Sequence, residues 1–310
     1  MRAAVGTSDE LVSTARQEQR KLLLSADGVL RWLMPAPAVI LLAAFTLIPL
    51  LRTIYLGFTS VKYGRDVTWI GLGNYQQLLT DDLFLGALAN TFVFVALAVV
   101  SELILGFAIA LLLWGEVSRW RSVFRTLFMI PMVLSPVVVG ITWRALLNPN
   151  FGWINHLVGI PGFQWLSDPN RALFTLAAVD VWQWTPFMFV ILLSGLQGVP
   201  ADVLEAAEVD GASSVRRFVD IVWPLMLPFT IVAVLLRAID AFKIFDLVYN
   251  LTGGGPGTAT ETISFYLYRI AFKQLDLGYA AAVSVVLSVI VGVLVTGYLR
   301  LARRLGGETP

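Results

Sequence analysis

The sequence predicts an all-α membrane protein with six transmembrane helices. Three observations carry this. The 310 residues are 57% hydrophobic and only 14% charged, with a mean hydropathy of +0.77. A soluble domain of this size needs far more charge to cover its surface. The apolar residues also fall into runs of roughly 18 or more, long enough to cross about 30 Å of hydrocarbon as helices. Finally, Lys and Arg are distributed unevenly between alternate connections. In lipid the backbone must hydrogen-bond within its own segment, which favours the helix.

Residues 1–30 are polar and mixed in charge, with a partial apolar face from Leu11, Leu22, Leu23, Leu24 and Leu30. They form either an interfacial helix over about 9–27 or a disordered tail. Acidic residues and a long polar lead argue against a signal peptide. Residues 31–300 hold six spans, at about 33–57, 86–114, 123–146, 172–196, 224–248 and 279–299, and 301–310 form a short tail. Pro35, Pro37 and Pro49 in the first span, and Pro131 and Pro136 in the third, predict kinks or broken helix ends. Small residues, among them Gly106, Ala108, Ala110, Gly140, Ala280, Ala281, Ala282 and Gly292, permit close helix packing.

Orientation follows from the basic residues. With the N-terminus inside, the cytoplasmic side carries Arg2, Arg16, Arg20, Lys21, Arg31, Arg119, Arg121, Arg125, Arg216, Arg217, Arg300, Arg303 and Arg304. The outside carries only Lys62, Arg65, Arg144, Arg171, Arg269 and Lys273. Both termini are therefore expected in the cytoplasm. The ten Trp and eight Tyr suit interfacial anchoring. Three outer connections, about 58–85, 147–171 and 249–278, are longer than turns and rich in Trp, Gly, Pro and Asn, fit to pack as a cap and receive a soluble partner.

The connection over residues 197–223 is different: short, charged and amphipathic. Glu205-Ala206-Ala207 is followed by Asp210-Gly211-Ala212 and closed by Ile221 and Pro224. Pro200 precedes a predicted helix over 201–210, Asp202 favours its N-terminal dipole and Gly211 ends it. Leu204 and Val203 supply an apolar face, and Phe218, Ile221 and Val222 can pack against the membrane helices. This segment resembles the EAA loop of bacterial binding-protein-dependent ABC importers, with Trp223 where Leu is usual. Gly71-Leu72-Gly73-Asn74-Tyr75, Trp182 to Pro186, Leu251 to Pro256 and Tyr268 to Phe272 extend the resemblance to carbohydrate permeases of the maltose-permease type, over roughly residues 30–300.

The resemblance implies a type I importer permease fold in the bacterial inner membrane. Residues Leu204, Glu205, Ala206, Ala207, Asp210, Gly211 and Ala212 would form a coupling helix on an ATPase dimer. A second, homologous permease subunit, an extracytoplasmic solute-binding protein and the surrounding lipid complete the implied partners. ATP and magnesium would be bound by the ATPase and no cofactor by this chain. The cargo would be a sugar-like solute: oligosaccharide, polyol, glycerol-phosphate derivative or sulfosugar.

Arg237, Asp240, Lys243 and Asp246 recur at intervals of three, placing four charges on one broad face of the fifth span. Charges at membrane depth are costly unless they face a cavity or each other. Two readings stand: an ion-pair scaffold and a polar solute pathway. Transfer from the maltose relative puts solute contacts at Gln183, Trp184 and Phe187, and at Arg237, Asp240, Ala241 and Ile244.

The net charge of +1 points away from nucleic acid, and the absence of cysteine excludes thiol and iron–sulfur chemistry. His156, the single histidine, sits in an outer loop and reads as solvated. No G-x-x-x-x-G-K-[ST] stretch occurs, so ATP hydrolysis is expected elsewhere. Gly253 to Gly257 reads as a tight external turn. No catalytic cluster or metal-ligand spacing stands out, which argues against a membrane enzyme. A self-sufficient secondary transporter or channel would explain six spans and buried charges but not the EAA-like loop.

Overall fold

The computed structural model describes residues 33–62, 67–114 and 119–305, so the readings for 1–30 and for 306–310 lie outside it. The chain divides into two compact units between Tyr55 and Leu56. The first contains helix α1 (Ala36–Gly57) up to Tyr55, a span of 22 residues that continues through Pro49. At 1.5 Å per residue it reaches roughly 33 Å.

The second unit starts with a two-stranded antiparallel ribbon, β1 (Thr59–Ser60) paired with β2 (Thr68–Trp69), and the short helix α2 (Gly73–Leu79). Asn74 ties this ribbon down: its Nδ2 donates to the carbonyls of Gly57 and Thr59, both at 2.9 Å. Helix α3 (Asp82–Leu112) begins four residues before the expected span. Asp81 caps it by accepting from the amides of Leu83 and Phe84, which satisfies donors that would otherwise be orphaned.

The third span is not one rod. Helices α4 (Arg119–Phe128) and α5 (Ile130–Val133) are followed by α6 (Pro136–Leu146), and the segments Ser122–Val133 and Pro136–Leu146 meet at 94°. Ser135 is extended, at φ −61° and ψ 135°. A proline ring forces its predecessor out of the helical region, and Pro136 does so here. Of the kink or broken helix end expected here, the chain takes the break. Among the described residues five helices are long and apolar enough to cross a membrane, and six if this bent pair is one span.

After α7 (Trp153–Val158), helix α8 (Pro169–Gln197) runs through Pro186. Helix α9 (Ala201–Val209) lies in the charged connection. Helix α10 (Ser214–Arg217) continues through a π-helical turn at Phe218–Val222 into α11 (Trp223–Phe242), one rod of 29 residues. The fifth span therefore begins earlier than expected. Pro224 has no N–H to donate, and the widened turn before it accommodates that loss. The span also ends earlier: Lys243 terminates α11, and Phe245 (φ −134°, ψ −56°) breaks the chain before α12 (Asp246–Leu251). Four charges on one continuous helical face is therefore corrected to Arg237 and Asp240 on α11, with Lys243 and Asp246 flanking a break. Helix α13 (Ile263–Tyr268), a π turn at Arg269–Lys273 and α14 (Leu277–Leu305) complete the chain.

The core lies mainly where α3, α8 and α11 meet, with Phe94, Ala98, Leu176, Met188, Leu192, Met226 and Ala233 all buried. Gly106 sets the closeness of α3 to α8: a Cβ there would sit 2.8 Å from Met188 Cβ and 3.0 Å from the Phe189 amide nitrogen. Such small-residue contacts let helix backbones approach where lipid gives little hydrophobic drive for association. A second cluster joins Leu78, Phe84, Ile263, Tyr266 and Tyr279.

Candidate functional site

Three helices bring one cation and two carboxylates together inside this packing. Arg237 of α11 is 2% exposed, Glu102 of α3 0% and Asp180 of α8 2%. Arg237 Nη2 donates to Glu102 Oε1 at 2.9 Å and also to Asp180 Oδ2. Arg237 Nε lies 2.8 Å from Glu102 Oε2, an ion-pair contact without hydrogen-bond alignment. Nη1 reaches Asp240 Oδ2 at 3.4 Å, and that side chain is half exposed. A planar guanidinium suits such multiple engagement, because its donors point outward in a fixed fork.

Beside the cluster is a cavity of about 120 Å³, bounded by Pro136 at the break in the third span and by the break after α11. Gln183, Trp184, Arg237, Asp240 and Ile244 line it, so five of the seven residues expected on a solute pathway meet at one place. The Arg237 guanidinium carbon is 5.5 Å from the centroid of the Trp184 ring, a cation–π arrangement. Gln183 Nε2 donates to the Leu134 carbonyl at 2.9 Å, while its buried Oε1 has no partner among the described residues. The other two residues expected there do not line it. Ala241 is 1% exposed and belongs to the core, because it sits on the side of α11 turned to its neighbours. Phe187 does not line the cavity; it packs edge-on against Trp184 at 6.3 Å.

Glu102 and Asp180 were missed, though each is the one ionisable residue deep within its helix. An intramembrane carboxylate signals a partner or a polar path by default. Attention to the repeating charges of the fifth span hid it, and assigned to Asp240 the pairing that Glu102 and Asp180 chiefly supply.

The charged connection forms an elbow. Gly211 has φ +78°, the left-handed region that glycine occupies without penalty. There the chain turns, with the Ala212 amide donating to the Ala207 carbonyl at 2.9 Å. Ser213 caps α10 through the Arg216 amide, and Arg217 reaches back to Glu208 at 2.6 Å. Glu205, Ala206 and Asp210 are exposed, whereas Ala207 and Ala212 are half-buried. Leu204 does not face outward as its neighbour Val203 does. It is half-buried and borders a cavity with Leu111, Phe218 and Val222 of its own chain. Phe218 packs edge-on against Phe107 at 5.7 Å, joining the elbow to α3.

On the other end of α3, Asp81 accepts from Tyr266 Oη at 2.5 Å and Tyr279 Oη at 2.7 Å. Burial opposes its ionisation, but these hydrogen bonds and those from the Phe84 and Leu83 amides outweigh it and hold its pKa below the ordinary aspartate value. Burial and the same carboxylate push the Tyr266 hydroxyl up. Gly253, Gly254 and Gly257 all have positive φ, in keeping with the tight turn expected there. Among the described residues no group of acidic or histidine side chains is arranged to hold a metal ion.

Comparison with known proteins adds kinship to this geometry. The model of the family described as "binding-protein-dependent transport system inner membrane component" matches residues 102–306. The trehalose/maltose transport system permease protein of Thermococcus litoralis is 37% identical over 289 residues, covering 89% of this chain and 95% of that protein. The sulfoquinovosyl glycerol transport system permease protein of Agrobacterium fabrum is 34% identical, covering 89% and 91%. The sn-glycerol-3-phosphate transport system permease protein of the same organism is 33% identical, covering 86% and 92%. A chain of a bacterial alginate ABC transporter, solved with a periplasmic protein carrying alginate pentasaccharide, superposes with a TM-score of 0.78. It is 21% identical and covers 94% of this chain and 97% of its own.

Proposed function

The chain belongs to the family of binding-protein-dependent transport inner-membrane components, among sugar ABC permeases, and from that premise we propose that it carries a sugar-like solute across the bacterial inner membrane in a complex driven by a separate ATPase. The observation that carries the reading is the convergence of Gln183, Trp184, Arg237, Asp240 and Ile244 on one cavity at two helix breaks. Irregular backbone at membrane depth is tolerated where it lines a cavity. An aromatic ring beside hydrogen-bonding groups suits a sugar, whose C–H face stacks while its hydroxyls bond.

A pathway must open to each side in turn, and that needs energy with different affinity for the two states. The elbow α9–Gly211–α10 is the lever. Glu205, Ala206 and Asp210 present the docking face to the ATPase, which binds ATP and magnesium. Leu204, Ala207 and Ala212 hold the elbow to its own chain, and the rod from Ser214 to Phe242 leads from it to Arg237. A second permease subunit completes the membrane part, and a binding protein delivers solute to the outer loops. The N- and C-termini and the elbow lie in the cytoplasm.

The chain has no native cysteine, so single-site labelling is clean. Ser213→Cys should react only with a reagent given access to the inside, and Ser167→Cys from outside. The reverse pattern overturns the orientation. Glu205→Ala should leave the chain in the membrane while lowering ATPase association or solute-stimulated hydrolysis. Normal values of both overturn the elbow's role.

A further inference from the structure

We infer that the cavity beside Arg237 selects uncharged, hydroxyl-rich solutes and turns away anionic ones. This rests on the reading of that cavity as the solute pathway and goes beyond it by assigning the class of cargo. Relatedness does not choose: relatives of similar identity are named for trehalose or maltose, for sn-glycerol 3-phosphate and for sulfoquinovosyl glycerol. The chemistry of the cavity wall does.

An anion held at membrane depth needs a cation with free N–H groups, and a paired guanidinium fork is the strongest form of that contact. Arg237 is not free to supply it. Its Nε and Nη2 face Glu102, Nη2 also meets Asp180, and Nη1 reaches Asp240. The two buried carboxylates already outnumber the one guanidinium. Lys243 is the other cation on the cavity wall, and it is exposed; Asp240 and Asp246 line the same cavity and oppose it. Five ionisable groups line the space: Arg237 and Lys243 against Asp180, Asp240 and Asp246. The balance is negative, and low dielectric sharpens the repulsion of a phosphate, sulfonate or uronate.

The wall instead offers acceptors. Gln183 Nε2 donates one of its two N–H groups to the Leu134 carbonyl, which orients the amide and leaves Oε1 as a buried acceptor without a partner among the described residues. Such an atom costs free energy until a donor meets it. The half-exposed carboxylate of Asp240 is a second acceptor, and Trp184 supplies an apolar wall. A sugar hydroxyl donates to both oxygens and its C–H face lies against the ring; a deprotonated acid group can do neither.

The test uses the assembled complex of this chain with its second permease and ATPase. Its thermal stability would be followed against matched pairs: glucose and glucuronate, glycerol and sn-glycerol 3-phosphate, galactose and galacturonate. The neutral member of a pair should stabilise the wild type with an apparent affinity at least about tenfold tighter than the anionic one. Asp240→Asn combined with Asp246→Asn should narrow that gap, and Gln183→Met should weaken the neutral solute alone. A wild type stabilised better by the anionic members, with that response lost in Lys243→Gln, overturns the inference while leaving the cavity as the pathway. If neither class stabilises the complex and Trp184→Ala leaves uptake unchanged, the pathway reading itself fails, and the inference with it.

Discussion

Two groups of ion pairs in this chain use the same chemistry in opposite surroundings. At the Arg237 cluster a guanidinium and two carboxylates are almost wholly withdrawn from solvent. At the elbow, Arg217 meets Glu208 with side chains 26% and 70% exposed, and Arg216 meets Asp220 with both largely exposed. Water screens the second group and has little access to the first. Breaking the buried cluster therefore strands charge between α3, α8 and α11, while the elbow's charges stay solvated. Coulombic attraction alone would rank the two groups alike; desolvation separates them.

The largest expected effect breaks the buried side. Arg237→Ala strands Glu102 and Asp180 and should cost about 3–5 kcal/mol, seen as loss of assembled complex or a large fall in melting temperature. Replacing all three charges, with Arg237→Met, Glu102→Gln and Asp180→Asn, should recover most of that stability. If the triple variant is as unstable as the single one, the loss is not one of unpaired charge.

Next in size is the turn between the elbow's two helices. Gly211→Pro demands a negative φ where the chain has +78°, and should cost roughly 1–3 kcal/mol locally. The expected signature is a chain that stays in the membrane but no longer supports solute-stimulated ATP hydrolysis. Retention of stimulation would show that the elbow need not be rigid.

Asp81 offers an intermediate case, a carboxylate tied to two tyrosines at the end of α3. Its pKa is lowered in the folded chain, so its stabilisation is present above the ordinary aspartate pKa. That stabilisation is lost as the pH falls through the lowered folded value. A melting-temperature profile should show this acid limb in the wild type and a flatter one in Asp81→Asn. Parallel profiles would remove Asp81 from the account of acid sensitivity.

The smallest effect is expected at the exposed pair. Glu208→Ala should change stability by no more than about 1 kcal/mol, measured by thermal melting in low and high salt. A loss as large as that of Arg237→Ala would erase the distinction between the two regions.

Much of this arrangement was legible in the sequence. Apolar length located the spans, and Pro200, Asp202 and Gly211 fixed α9 to within one residue, because caps and breakers act locally. The outcome at Pro131 and Pro136 was less readable: proline marks where a helix is disturbed, but packing decides between a kink and a 94° break. The early end of α11 was hidden because regular spacing of Arg237, Asp240, Lys243 and Asp246 imitates one helical face. Spacing within one segment cannot reveal partners on others, and so the pairing of Glu102 and Asp180 with Arg237, 135 and 57 residues away, came only from the fold.

The most direct test of the central claim is the energy source for transport. Proteoliposomes would hold this chain alone, or with its second permease, ATPase and binding protein, and uptake of radiolabelled trehalose, maltose and glycerol would be followed. Accumulation is expected only in the complete complex with hydrolysable ATP, reduced by Trp184→Ala in assembled complexes. Accumulation by this chain alone, driven by a proton or sodium gradient and indifferent to ATP, would contradict it.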